Sequence, residues 1–378
     1  MKGRFLEYNV GIAGLLGRDI MKICVYAICK DEAQFVSRWV DSMSEADEIY
    51  VLDTGSTDQT VALLKERGVI VEQKVITPWR FDVARNESLK LVPEDCDVCV
   101  CTDLDEVLEP GWRQVIEKLW KKGVTRGNYR YTWSFNEDGT EGSVFDYDKI
   151  HTRHHYRWTH PVHEVLEYLG EGMERVVYLT GIQLNHYPDR TKSRGQYLPL
   201  LELSVKEKPN DDRNVHYLGR EYFYYNRYDE AITTLKRHLS LPTATWDAER
   251  AASMRYIAKS YAALKEPEMA KTWFFKAIKE APYLREGYIQ LALQFYKESD
   301  WFGVAYAVEN ALKIKERPLS YITDPSSWDA TPYDLGAISQ YYLGNYEQAL
   351  IYAQLALNCA PQNKRLKANY ELIAKALK

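Results

Sequence analysis

Val98-Cys99-Val100-Cys101-Thr102-Asp103-Leu104-Asp105-Glu106 reads as a short apolar strand that ends on two carboxylates, Asp103 and Asp105. In an open α/β sheet, ligands bind outside the carboxyl ends of the strands. Hard cations such as Mg²⁺ and Mn²⁺ take carboxylate oxygens and often share them with substrate phosphates. The stretch therefore predicts an α/β domain with a divalent cation at Asp103 and Asp105 and a phosphate-bearing ligand.

Upstream, the chain alternates strand and helix from Lys22 to about Leu119. Strands are expected at 23–28, 48–52, 69–71 and 97–102, and helices at 33–43 and 82–90. Asp53-Thr54-Gly55-Ser56-Thr57-Asp58 is a tight turn, with Ser56, Thr57 or Asp58 able to cap the next helix. This order implies a parallel sheet with right-handed crossovers. From Asn128 to Tyr187 the pattern shifts to aromatic β-runs, with a turn at Asn136-Glu137-Asp138-Gly139.

Downstream, Ala231, Ala270, Val304 and Ala349 anchor four units with the length and small/aromatic spacing of tetratricopeptide repeats. Leu218-Gly219 with Tyr222, Ala258 with Tyr261, and Gly344 with Tyr346 carry the pattern; the third unit is degenerate. Lys364–Lys378 reads as a capping helix that shields the last apolar face. The division is residues 1–20 as an N-terminal extension, 21–195 as the α/β domain, 196–363 as repeats and 364–378 as the cap.

The chain has 378 residues, 29 Tyr, 10 Trp and a net charge of −5, so duplex nucleic acid is not the expected partner. Its cysteines lack zinc spacing and read as buried free thiols, which suits a reducing, cytoplasmic compartment. No apolar run reaches a membrane span, and Met1–Ile20 is a poor signal peptide.

The N-terminal half resembles glycosyltransferase family 2. The resemblance rests on Ile28-Cys29-Lys30-Asp31-Glu32, on Val51 to Asp58, on Phe81 to Arg85-Asn86 and on Asp103-Leu104-Asp105. It implies a GT-A (Rossmann-like) α/β domain followed here by an all-α tetratricopeptide-repeat solenoid, an architecture similar to enzymes that glycosylate bacteriocin peptides. It further implies inverting transfer of a sugar from a nucleotide-sugar, with a UDP-sugar favoured and Mn²⁺ or Mg²⁺ as cofactor. By position, Ile28, Lys30 and Glu32 would line the nucleoside, and Asp53 would hydrogen-bond the base. Arg85 would lie near the nucleotide, Asn86 would support its loop, Asp103 and Leu104 would face ribose and metal, and Asp105 would ligate the metal. A turn-forming role for Asp53 and a solvated helix-face role for Arg85 are the plainer alternatives.

An inverting displacement needs a base on the acceptor side. In Arg157-Trp158-Thr159-His160-Pro161-Val162-His163-Glu164, Glu164 is the choice, by resemblance to the acidic residue that follows the D-x-D region in relatives. His163 is the runner-up, because its ordinary pKa lies near neutrality. His186 sits where some relatives place a third metal ligand. Arg190, Lys192 or Arg194 would close over the diphosphate. Trp79, Trp133 and Trp158 are sugar platforms or core residues, and the basic run from His151 to Arg157 reads as an exposed strand. The acceptor is expected to be a peptide, protein or glycan, presented by the repeats, whose alternative use is a homodimer. A non-catalytic repeat scaffold and a phage-type enzyme acting on modified DNA bases are the competing readings.

Overall fold

A computed structural model describes residues 21–136, 138–189 and 195–377. The α/β half runs β1 (Ile23–Cys29), α1 (Val36–Met43), β2 (Glu48–Asp53), α2 (Thr60–Glu66), β3 (Ile70–Gln73), α3 (Phe81–Leu91), β4 (Val98–Cys101), β5 (Glu106–Leu108), α4 (Trp112–Leu119), β6 (Arg126–Thr132), β7 (Val144–Thr152), β8 (Tyr156–Thr159), β9 (Val165–Tyr168) and β10 (Val176–His186). Eight strands form one sheet in the order β3-β2-β1-β4-β7-β6-β10-β5, and β8 and β9 form a separate ribbon.

The expected parallel sheet accounts for one side only. β3, β2, β1 and β4 are parallel, whereas β7 joins β4 antiparallel and continues into the β6–β7 pair. The alternating βα order dictates the first part, because each crossover helix returns the chain to the same end of the sheet. The second part comes from the aromatic β-runs, which have no crossover helix between them.

β1 is apolar throughout and buried along its whole length, as a central strand covered on both faces must be. One face packs Val25, Trp39, Met43, Trp112 and Ile116. The other packs Tyr26, Cys99, Cys101, Tyr156 and Trp158. Cys24, Cys29, Cys96, Cys99 and Cys101 are buried free thiols, while Cys359 is exposed. His151, expected on an exposed strand, is buried instead. Trp158 Nε1 donates to the Tyr26 hydroxyl (2.9 Å), which bonds His151 Nε2 (2.7 Å), and His151 Nδ1 donates to Thr152 O (2.7 Å). A neutral imidazole can accept on one nitrogen and donate on the other, so this chain closes with every group paired. Burial pushes the His151 pKa down to about 3.

The second half is α-helical: α5 (Tyr197–Glu207), α6 (Asp212–Tyr224), α7 (Tyr228–Ser240), α8 (Asp247–Ala263), α9 (Pro267–Glu280), α10 (Arg285–Lys297), α11 (Trp301–Lys313), α12 (Thr331–Tyr342), α13 (Tyr346–Cys359) and α14 (Lys364–Ala376). Helices α6–α7, α8–α9, α10–α11 and α12–α13 form hairpins, and α14 packs on α13. Ala231, Ala270, Val304 and Ala349 are fully buried where the helices of each pair meet. Each hairpin turns through one residue of positive φ, at Asn226, Lys265, Ser299 and Gly344. Each is followed by a backbone N–H that bonds five residues back: Arg227 to Tyr222, Glu266 to Tyr261, Asp300 to Phe295 and Asn345 to Gln340. This left-handed C-cap satisfies carbonyls that the helix end leaves open. The architecture is therefore a GT-A-like α/β domain followed by an all-α repeat region. Among the described residues, no helix is long and apolar enough to cross a membrane.

Candidate active site

The strand ends of the α/β half and the inner helices of the repeats enclose a cleft of about 2100 Å³. Asp103, Leu104 and Asp105 lie on its floor, in the turn between β4 and β5. The pairing of β10 with β5 puts His186 opposite Glu106, which brings the imidazole to the neighbouring Asp105. His186 Nε2 stands 3.3 Å from Asp105 Oδ2. His186 Nδ1 donates to the backbone oxygen of Trp133 (2.9 Å), and the Trp133 ring stacks on the imidazole at 4.3 Å. Burial opposes the charged imidazole, but the Asp105 carboxylate outweighs it and raises the His186 pKa.

These residues fit a divalent cation. The Nδ1–H bond to a carbonyl fixes the tautomer and turns the Nε2 lone pair toward Asp105, the usual outer-sphere support of a ligating histidine. Two donors about 2.1 Å from a cation and at right angles to each other lie about 3 Å apart. That is close to the observed gap.

Asp103 is held differently. Arg85 Nη2 donates to its Oδ1 (2.6 Å) and Lys149 Nζ to its Oδ2 (3.3 Å). Burial would raise the Asp103 pKa, yet the two cations hold the carboxyl well below the usual range. Its backbone N–H donates to Glu106 Oε2 (2.9 Å), and Glu106 Oε1 accepts from the Tyr131 hydroxyl (2.7 Å). Both Asp103 oxygens are thus engaged by cations, whereas Asp105 Oδ2 and His186 Nε2 face each other.

Arg85 is a buried member of this network and not a solvated helix-face residue. Its Nε donates to Glu164 Oε1 (3.0 Å), so one guanidinium ties the floor to the candidate base. Burial disfavours the charge, but Asp103 and Glu164 keep the Arg85 pKa well above its ordinary value. The Asn86 amide exchanges hydrogen bonds with the backbone N and O of Trp158 (2.9 Å each), which joins α3 to β8. Trp158 itself is core.

Glu164 lines the cleft just before β9. His163 precedes it at φ +52°, its imidazole stacked on Tyr217 of α6 at 4.1 Å and set edge-on to Tyr197. His160 Nδ1 accepts from the Asn214 amide (3.0 Å). The loop carrying both candidate bases is therefore held from the repeat side as well as from the sheet.

Ile28 packs with Leu52 and Ala84, and Lys30 and Glu32 line the cleft rim. Leu104 turns into the core. Asp53 departs from expectation, being fully buried at 0 % exposure. Its carboxylate accepts from Gly55 N (3.2 Å), Ser56 N (3.1 Å) and Gln73 Nε2 (3.3 Å), so here it forms the turn while its neighbour Thr54 lines the cleft. Asp58 accepts from Thr60 N (2.9 Å), the first residue of α2, and so satisfies a helix-start N–H from one position before Gln59, the N-cap residue. Trp79 and Trp133 line the cleft. Arg190, Lys192 and Arg194 lie outside the described residues.

Lys149, Glu106 and Tyr131 were not singled out from the sequence. The D-L-D-E run contained Glu106, but no local pattern distinguishes a structural carboxylate from a ligating one. A further acidic and histidine group, Asp212, His238 and Glu249, gathers among α6, α7 and α8 with ligand atoms within 4.8 Å of one another. Glu249 there accepts from the Tyr321 hydroxyl and His238 from or to Ser253 Oγ (2.9 Å).

Comparison with known proteins gives the following likenesses. Residues 24–158 match the model of glycosyl transferase family 2. A tetratricopeptide repeat-containing protein of Synechococcus elongatus is 31% identical over 107 residues, which is 28% of this chain and 26% of that protein. The chain thus spans about a quarter of that relative's length. Similar solved structures include MamA (19% identity, 46% of this chain and 84% of that one, TM-score 0.34). PilF of Pseudomonas aeruginosa (17%, 48% and 72%, 0.37) and yeast Tom70 (16%, 49% and 36%, 0.37) are similar to a like extent.

Proposed function

We propose that the chain is a metal-dependent inverting glycosyltransferase that moves a sugar from a nucleotide-sugar, with a UDP-sugar favoured, to a peptide, protein or glycan acceptor. The observation that carries this reading is the Asp105–His186 pair, set as adjacent cation donors on the floor of a cleft beside an Asp103 clamped by Arg85 and Lys149. The family-2 domain supplies the reaction class.

Asp105 and His186 would hold Mn²⁺ or Mg²⁺, which neutralises charge on a departing nucleoside diphosphate. The remaining work falls to the chain's own groups. Arg85 and Lys149 hold Asp103 in one orientation, with Asp103 proposed as the ribose-facing carboxylate. Ile28, Lys30, Glu32 and Thr54 form the wall proposed for the nucleoside, with Asp53 fixing that wall's turn. Arg190 is proposed to act at the diphosphate. Glu164 has one oxygen fixed by Arg85, and its other oxygen accepts no hydrogen bond among the described residues. That oxygen is proposed to take the acceptor's proton as the acceptor attacks the anomeric carbon. His163, packed flat on Tyr217, is the second choice as base.

The test is donor binding and hydrolysis with Mn²⁺ across UDP-, GDP-, dTDP- and CMP-sugars, for the wild type and Asp105→Ala. One donor should give a metal-dependent signal that the variant loses. A folded wild type with no signal for any donor, with and without a pool of peptide acceptors, would defeat the reading.

A further inference from the structure

The cleft continues past His163 along the inner helices of the repeats, where its lining changes character. Arg213, Tyr217, Arg220 and Tyr224 come from α6, Arg255, Tyr256 and Lys259 from α8, and Tyr321 from the segment after α11. On α6 these positions recur at spacings of four, three and four, and on α8 Lys259 lies four residues after Arg255 and three after Tyr256, so each set lies on one side of its helix. The Arg220 guanidinium lies 4.3 Å over the Tyr217 ring, on the ring that His163 also stacks against. Lys259 Nζ lies 5.4 Å from the Tyr256 ring centre, and the Tyr256 and Tyr224 hydroxyls are hydrogen-bonded at 2.9 Å.

Three of these cations carry buried N–H groups with no acceptor among the described residues: Arg213 Nε, Arg220 Nε and Arg255 Nη1. Arg255 is 5 % exposed. Its Nη2 donates to Ile322 O (2.9 Å), while Nη1 stands 3.9 Å from the nearest carboxylate oxygen, on Glu286. Burial, with Arg255 next to it, pulls the Lys259 pKa down to about 8, and Asp324 only partly offsets this. A buried donor without a partner costs roughly 1–3 kcal/mol. Three such donors on arginines that line one cleft therefore call for an acceptor atom that arrives with a ligand.

We propose that Arg220, Arg255 and Lys259, walled by Tyr224 and Tyr256, bind a carboxylate borne by a peptide segment, and so make this groove the site for an acidic acceptor peptide. Guanidinium and ammonium donors meet a carboxylate through charge-assisted hydrogen bonds. The tyrosine faces give the flanking residues flat area at small entropic cost. The charge balance selects a peptide carboxylate over a polyanion. Glu221 and Asp324 share the lining with the four cations, and Glu249 and Glu286 lie behind it. Four carboxylates therefore stand against four cations, so the groove carries no surplus positive charge for a run of phosphates, and a single carboxylate seated on the unpartnered donors is the anion it can take. In calling this peptide the acceptor, the proposal rests on the transferase reading.

The test is selection by the immobilised full-length protein from a synthetic library of short random peptides, with phosphoserine included among the building blocks. Asp or Glu should be enriched at one position of the selected pool. Replacing that residue by Asn or Gln in an individual peptide should weaken binding about tenfold. Lys259→Gln and Arg220→Gln should each erase the enrichment. A wild-type pool without acidic preference, or one in which phosphoserine displaces Asp and Glu, overturns the proposal, and neither result depends on how a variant folds. UDP-sugar binding with Mn²⁺, measured on the same protein, separates the two readings. Intact donor binding without acid selectivity defeats this proposal alone. Acid selectivity without donor binding defeats the transferase reading and leaves the groove a peptide site.

Discussion

Arg85→Gln is the most informative perturbation of the cleft floor. The guanidinium is almost wholly enclosed, with 3% of its side chain exposed, and it bonds Asp103 at 2.6 Å and Glu164 at 3.0 Å. Removing one partner of a buried ion pair costs roughly 3–5 kcal/mol, because the charge left behind has no compensation. Asp103 retains Lys149 and is 36% exposed at its side chain, so the lower end of that range, about 3 kcal/mol, is expected. The assay is urea unfolding, with the midpoint falling at unchanged m-value. A double-mutant cycle with Glu164→Gln should show a coupling of about 1–3 kcal/mol. Arg85→Lys should restore little, since a single ammonium cannot reach both carboxylates as the Nε and Nη2 fork does. The acid side gives an independent check. The Asp103 carboxyl is held below its ordinary range, so its stabilisation is complete above about pH 4 and is lost as pH falls below that. That acid-side loss should shrink in the variant. A destabilisation under about 1 kcal/mol with no coupling to Glu164 would refute the bridging role.

Three other outcomes are expected. His186→Ala should weaken Mn²⁺ binding by at least about tenfold, and an unchanged metal titration would remove His186 from the ligand set. Burial lowers the pKa of both His151 and His216 to about 3. Since an unfolded histidine titrates near pH 6.5, stability should hold above that value and fall toward pH 3, at up to about 1.4 kcal/mol per pH unit for each. A urea midpoint flat across that window would contradict their neutral burial. Gly219→Ala should destabilise by about 1–3 kcal/mol despite better helix propensity. The added Cβ would sit 2.5 Å from Leu235 Cγ and 3.3 Å from the Leu235 backbone nitrogen. Equal or higher stability in thermal melts would show that α6 and α7 can separate at no cost.

What the sequence disclosed follows the range of the interactions involved. The repeats were legible because each one is a local device: small residues at helix crossings and a turn that closes its own C-cap. The carboxylates after β4 were legible because a strand end is a local event. Arg85, Asp103 and Glu164 were each picked out by their motifs, but Lys149 is unremarkable in its own neighbourhood, and nothing local says that the four meet. Their meeting depends on α3, β4, β7 and the β8–β9 loop converging, which no spacing encodes. His151 misled for the same reason. Flanked by charged residues, it resembled a solvated run, yet strand alternation and the Tyr26 hydroxyl across the sheet placed it inside. Asp53 shows the limit in the other direction. The motif located the turn, but its carboxylate is consumed by the turn's own amide hydrogens.

The loop from His160 to Glu164 is gripped by the first repeat through His160–Asn214 and His163–Tyr217. The two halves of this chain are consequently not severable parts. A graft that exchanged the repeat array to redirect acceptor choice would release the loop that carries the candidate base, so turnover and selectivity would shift together. A workable chimera must keep α5 and α6 with the α/β half and make its cut beyond Tyr224.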